Sequence, residues 1–135
     1  MSLDIRLERR IAHPIDKVWR VLVSPDRMAD WLMANDFAPH VGHRFRLTGE
    51  PMPGWRGWAD CEVLELDPPT RMVWAWWAND ETHETRVTFE LTREAAATRL
   101  VLIHRGDETP IIAELLAGGW PGKLPALEAL LDRID

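Results

Sequence analysis

The chain has 135 residues, a formal net charge of −6 at pH 7, eight tryptophans, no tyrosine and one cysteine. Its length predicts one domain spanning residues 1–135, and its acidic balance argues against a nucleic-acid partner. The single cysteine, Cys61, excludes an intramolecular disulfide and a cysteine-rich zinc site. No apolar run approaches the roughly 18 residues that a membrane span needs, and the alternating charges of residues 1–10 are unlike a signal peptide. We therefore expect a soluble, cytoplasmic globular protein.

The first third of the chain predicts a strand followed by two short helices. Between residues 3 and 11, apolar side chains alternate with charged ones, which is typical of a strand with one buried face; Arg9 is an exception on that face. Residues 14–23 carry apolar side chains at helical spacing after a proline. Ser24 is placed to cap a second helix that ends near residues 31–32.

The remainder of the chain predicts about five consecutive strands and a C-terminal helix. The strand patterns cover residues 44–47, 56–66, 71–77, 87–91 and 100–104. A helical segment begins at Pro110, Gly118-Gly119 and Pro121-Gly122 interrupt or kink it, and residues 120–134 form the main helix. Consecutive strands with tight turns imply an antiparallel meander whose one face a helix must cover. The predicted fold class is therefore α+β, a curved sheet gripping a terminal helix.

Short motifs follow one another in a characteristic order along nearly the whole chain. They are IAHPIDKVW (11–19), GHRFR (42–46), VLELDPP (63–69), MVWAW (72–76), TRLVLIH (98–104) and Gly119-Trp120 with the leucines after it. Together they resemble the START-like (SRPBCC) superfamily, and within it the branch named after the activator of the heat-shock-protein-90 ATPase. The resemblance implies a helix-grip fold, in which a curved antiparallel β-sheet wraps around a long C-terminal α-helix and encloses a hydrophobic cavity. It also implies a binder of lipophilic small molecules. Members of the superfamily mostly have that role, some are enzymes, and many have no known role.

The tryptophan-rich strand predicts part of a ligand site. Side chains alternate across a strand, so we place Trp74 and Trp76 on the inner face and Trp77 on the outer face. The neighbouring strand offers small inner residues such as Ala59 and Cys61, because burying its alternate carboxylates unpaired would be costly. Small residues opposite large rings leave a space that either a ligand or the terminal helix fills.

These observations predict a protein that binds a lipophilic or aromatic small molecule between the sheet and the C-terminal helix, with no cofactor. We expect ligand access between the loop of residues 33–43, the strand ends and the kink near Gly118-Gly119. The candidate cavity wall consists of Trp31, Phe37, Phe45, Leu47, Trp58, Cys61, Trp74, Trp76, Leu102, His104, Leu115, Trp120 and Leu124.

The histidines could have either a functional role, in ligand contact, acid–base chemistry or metal binding, or a purely structural one. His104 continues the inner alternation of its strand and could orient a ligand or act as an acid or base; the alternative is a structural histidine bonded to its neighbours. His40 and His43 are three residues apart on a loop with no third ligand in view, so no metal site is predicted. No residue is assigned a catalytic role.

Two other functions stay open. A cyclase- or hydratase-type enzyme would need a polar pair in the cavity, for which His104 with Asp60 is the only candidate. A protein-interaction module or chaperone cofactor would expose an apolar patch on the outer sheet face, where Trp55 and Trp77 are the residues to inspect. A homodimer is a further open alternative.

Overall fold

A seven-stranded antiparallel sheet forms the framework of the structure, a computed structural model that describes residues 2–135. In chain order the elements are β1 (Ser2–Ile11), α1 (Ile15–Leu22), α2 (Pro25–Trp31), β2 (Ala34–Asn35), β3 (Arg44–Thr48), β4 (Trp58–Asp67), β5 (Arg71–Trp77), β6 (Glu84–Glu94), β7 (Ala97–Asp107) and α3 (Pro110–Arg133). The strand order is β1-β7-β6-β5-β4-β3-β2. The curved sheet, the two early helices and the long terminal helix confirm the predicted α+β helix-grip fold.

One face of the sheet is apolar because the register aligns the inner residues of successive strands. Ile5 pairs with His104, His104 with Val87, Val87 with Trp74 and Trp74 with Val63, so one row crosses five strands. All of these side chains are buried, and His104 is the one polar member of the row. The concave face therefore offers α3 an almost continuous apolar surface.

The opposite face is polar and pairs its charges across strands. Arg46 on β3 bonds to Asp60 on β4 with Nε and Oδ1 2.8 Å apart, and Arg105 on β7 bonds to Asp4 on β1 at 2.7 Å. Each exposed pair contributes only about 0–1 kcal/mol. Their main effect is to keep the convex face charged while the concave face remains apolar.

The C-terminal half of α3 is fixed to the first strand and the first helix. Arg9 donates two hydrogen bonds to the Glu128 carboxylate, at 2.9 and 3.1 Å. The Lys17 ammonium donates to the carbonyl oxygens of Leu131 and Ile134, at 2.9 and 2.7 Å, and so satisfies acceptors at the end of the helix. Arg9 interrupts the apolar alternation of β1 because Glu128 on the covering helix is its partner.

Two local expectations differ from the structure. The interruption expected near Gly118-Gly119 is absent, since α3 is continuous from Pro110 to Arg133. Pro121 removes one helical hydrogen bond, but the buried side chains of Trp120 and Leu124 hold the adjacent turns against the sheet. The expected irregular segment 33–43 also includes the short strand β2, which pairs with β3.

Two glycines provide a paired test of this backbone arrangement. Gly118 lies in the exposed middle of α3, where an added Cβ would have no atom within 4 Å, whereas Gly106 in β7 has a φ of +144° and its Cβ would come 2.9 Å from Cγ2 of Thr85. We expect Gly118→Ala to raise the free energy of unfolding by about 0.5–1 kcal/mol and Gly106→Ala to lower it by about 1–3 kcal/mol. Urea unfolding measures both values, and a Gly118→Ala variant less stable than the parent would contradict the structure.

Candidate ligand-binding cavity

Edge-to-face aromatic packing fills the middle of the concave face. The Trp74 ring centre lies 5.0 Å from that of Phe45 and 4.9 Å from that of Phe89, and Phe37 packs against Phe45 at 5.1 Å. All of these residues are buried. This part of the interior is a closely packed aromatic core.

Beyond the aromatic core, a cavity of about 280 Å³ lies between the sheet and the first half of α3. It is lined by Leu32, Met33, Gly49, Glu50, Met52, Trp55, Trp76, Ala78, Ile112, Leu115, Leu116, Gly119, Trp120 and Lys123. It reaches the surface at Glu50, Met52 and Gly119, which are exposed. Its volume is near the lower end of the ~300–1,000 Å³ range of ligand pockets, so it fits a small compact molecule.

The wall contributed by α3 is one face of the helix. Ile112, Leu115, Leu116, Gly119 and Trp120 follow the i, i+3, i+4, i+7, i+8 spacing that places side chains on a single stripe. Gly119 has no side chain on this stripe, and an added Cβ would meet nothing within 4 Å. The glycine therefore leaves open a volume that a larger residue would occupy.

The loop between β3 and β4 (residues 49–57) forms another wall. The Trp55 indole Nε1 donates to the Ala78 carbonyl at 3.0 Å, and the Arg56 amide donates to Oδ1 of Asn79, also at 3.0 Å. These bonds fasten the loop to the chain that follows β5. Trp55 therefore lines the cavity and does not lie on the outer sheet face, where an interaction module would need it.

A chain of hydrogen bonds lies at the boundary between the core and the cavity. The Trp120 Nε1–H donates to Nδ1 of His104 at 2.9 Å, and Nε2 of His104 is 2.7 Å from Oγ1 of Thr85. An indole nitrogen only donates, so Nδ1 carries no proton and Nε2–H donates to Thr85. The Thr85 hydroxyl in turn donates to the carbonyl of Trp76 at 3.3 Å. Burial lowers the pKa of His104 to about 3.

His104 consequently has a structural role. Both of its ring nitrogens have partners and its side chain is buried, so it is a neutral histidine that positions Trp120 and does not line the cavity. The pair suggested for an enzyme, His104 with Asp60, is wrong because Asp60 lies on the opposite sheet face, where it bonds to Arg46 and Arg56.

The neutral state of His104 predicts a pH response. Its folded-state pKa lies below the ordinary value of 6.5, so its contribution to stability is present above pH 6.5 and is lost as the pH falls towards 3. Between these two pH values, we expect the free energy of unfolding to fall by about 1.4 kcal/mol for each pH unit because of this one group. Two-dimensional NMR of the imidazole nitrogens should show the Nε2–H tautomer and no titration between pH 5 and pH 8. A midpoint near the ordinary value would contradict the assignment.

The expected wall residues fall into three groups: residues that line the cavity, residues packed in the core around it, and Trp58. Trp76, Leu115 and Trp120 line the cavity. Most of the others are packed in the core around it: Trp31, Phe37, Phe45, Leu47, Cys61, Trp74, Leu102, His104 and Leu124.

Trp58 was included in the expected cavity wall, and this is wrong because its side chain lies on the convex face of the sheet. Its ring lies 5.0 Å from the guanidinium carbon of Arg46 and 4.6 Å from that of Arg56. Trp58 alternates with Ala59 along β4, and Ala59 is completely buried on the inner face. The period of a strand therefore excludes Trp58 from the cavity.

Sequence reasoning missed the loop residues Met52 and Trp55, together with Glu50 and Lys123 at the cavity edge. The available signal was two large apolar side chains, Met52 and Trp55, in a loop otherwise rich in proline and glycine. Apolar residues in such a loop indicate that it folds over a core or a cavity.

Residues 2–135 offer neither a metal site nor a reactive thiol. This part of the chain contains no group of three His, Cys, Asp or Glu residues arranged to hold a metal ion. The buried Cys61 has a pKa raised well above its ordinary value, first by desolvation and then by the charge of Asp60, so it stays a thiol. No helix in the same residues is long and apolar enough to cross a membrane.

The helix-grip fold and its cavity define the class of protein, and comparison with known families defines it further. The family described as "Activator of Hsp90 ATPase homolog 1-like protein" matches residues 12–132. The chain belongs to this family, which is part of the SRPBCC superfamily. A search of curated proteins found no match.

Solved structures show the same fold. The chain is similar to protein MLL2253 from Mesorhizobium loti, with 36% identity over 98% of both chains and a TM-score of 0.85. It is similar to DynU16, a protein in the dynemicin biosynthetic locus, with 24% identity and a TM-score of 0.81 over 96% of this chain, but it spans only 47% of DynU16. CalU16 from Micromonospora echinospora has 23% identity and a TM-score of 0.75, with 95% of this chain and 75% of CalU16 covered. At these identities, DynU16 and CalU16 share the fold alone with this chain.

Proposed function

We propose that the protein binds a small lipophilic or aromatic molecule in the cavity between the sheet and the first half of α3. The observation that carries the proposal is a mostly apolar space of about 280 Å³ beside a closely packed aromatic core. A concave, mostly apolar space with a few polar groups at its edge is the usual form of a small-molecule site. Each CH₂ group that moves from water into it gains about 0.8 kcal/mol.

The polar groups around the cavity favour binding over catalysis. A cyclase or hydratase needs an acid or base against its substrate. Within residues 2–135, Glu50 and Lys123 are the ionisable side chains that line the cavity, and Glu50 is exposed at its edge. His104 is occupied by Trp120 and Thr85.

The exposed surface supports the same choice. Large exposed apolar side chains among residues 2–135 are Val41, Met52 and Ile111, and all three lie outside the strands. No large apolar side chain on a strand is fully exposed among these residues, which favours ligand binding over a protein-interaction module.

Adjacent glycines allow the proposal to be tested with a matched control. Gly119 lines the cavity and Gly118 does not, yet both are exposed helical positions where an added Cβ meets nothing within 4 Å. We expect Gly119→Leu to fill the cavity and weaken binding of 1-octanol by about tenfold, equivalent to about 1.4 kcal/mol, while Gly118→Leu leaves the dissociation constant within about twofold. Tryptophan fluorescence measures binding, because Trp55, Trp76 and Trp120 line the cavity.

The titration should include a panel of neutral alkanols and alkylbenzenes, with native mass spectrometry to establish one ligand per chain. Failure of every probe to bind the parent protein would sink the proposal. Equal loss of binding in the Gly118→Leu and Gly119→Leu variants would also contradict it, because only one of these positions faces the cavity.

A further inference from the structure

The cavity edge carries one positive and one negative side chain, and water screens the two charges to different degrees. Lys123 is half-buried on α3, whereas Glu50 is exposed in the loop between β3 and β4. Water screens an exposed charge strongly, and a charge that is partly removed from water acts on its neighbours through a lower effective dielectric. The electrostatic preference of the cavity edge is therefore set by the lysine and favours an anionic group.

Lys123 has donors to spare. Its ammonium donates to the Leu32 carbonyl at the end of α2, with Nζ and the oxygen 3.0 Å apart, and it forms no ion pair with a carboxylate of residues 2–135. An ammonium has three N–H donors, so two are left for another partner. Lys17, the other lysine of the chain, instead contacts a histidine ring nitrogen and two backbone carbonyls.

The position of Lys123 on the helix connects this charge to the apolar wall. It follows Gly119 by four residues and Trp120 by three, so its stem continues the stripe of α3 that faces the cavity. A half-buried ammonium has lost part of its hydration, and a charge-assisted hydrogen bond to a carboxylate restores that stabilisation better than a neutral hydroxyl does.

We propose that the ligand is a small carboxylic acid with an apolar body, such as a medium-chain or aryl acid, whose carboxylate pairs with Lys123. The apolar body lies against Trp76, Trp120 and Leu115, and the carboxylate remains at the edge of the cavity. This inference rests on the proposed function, to which it adds the chemical class of the ligand and a residue that determines specificity.

The test compares octanoate with 1-octanol, which differ in their head group, in titrations followed by tryptophan fluorescence. The measured quantity is the ratio of their dissociation constants in the parent protein and in three variants. Lys123→Met keeps an apolar stem and removes the charge, and we expect it to shift the ratio about tenfold against octanoate, the size of one charge-assisted hydrogen bond. Lys123→Arg keeps the charge and should preserve the ratio. Glu50→Gln removes the other charge and should not lower octanoate affinity.

The outcomes distinguish the proposed ligand cavity from the proposed pairing of a carboxylate with Lys123. If 1-octanol binds and the ratio is the same in Lys123→Met as in the parent, the carboxylate assignment is overturned and the cavity proposal stands. Equal weakening of both probes in Lys123→Met would mean that Lys123 only connects α3 to α2, which also overturns the assignment. If neither probe binds the parent protein, the proposed function itself fails. Circular dichroism establishes that each variant is folded.

Discussion

The hydrogen bonds that run from Trp120 through His104 to Thr85 tie the middle of α3 to the sheet, and the rest of the interior depends on them. They bury a histidine with both ring nitrogens satisfied, which avoids the cost of an unpaired polar group. They also fix the Trp120 ring, which packs 5.9 Å from the ring of Trp76 and 6.4 Å from that of Phe89. On one side of this link the aromatic rings are closely packed, and on the other the cavity begins.

One helix consequently does two different tasks. The C-terminal half of α3 grips the sheet through buried leucines and through the bonds that Arg9 and Lys17 make to it. The first half is held mainly by apolar contacts and carries the cavity wall, including the exposed Gly119. Glycine and proline lower helix propensity in the middle of α3, so burial of Trp120 and Leu124 must supply the stability that the local sequence lacks.

Much of the fold could be predicted from the sequence because it depends on local periodicity. The alternation along β5 was enough to place Trp74 and Trp76 on the inner face, and applied strictly to β4 the same rule excludes Trp58 from the cavity. The continuity of α3 could not be predicted, since tertiary burial there outweighs propensity.

The cavity was harder to predict because its walls depend on contacts between distant parts of the chain. Trp55 lines it only because the loop is fastened to Ala78, 23 residues away. The sequence leaves His104 open between a contact to a ligand and a structural role, because its partners in the fold, Thr85 and Trp120, are 19 and 16 residues away. Period-two alternation predicts which face of the sheet a residue occupies. It does not predict whether that part of the face is filled by another side chain or left open.

The most direct test of this account is an isotope-filtered NOE spectrum of the labelled protein saturated with 1-octanol. We predict intermolecular contacts from the alkyl chain to the Leu115 and Leu116 methyl groups and to the Trp76 ring, and none to Leu102 in the closed core. Contacts confined to Trp58 on the convex face, or no contacts at saturation, would contradict the claim that the space beneath the first half of α3 is a ligand site.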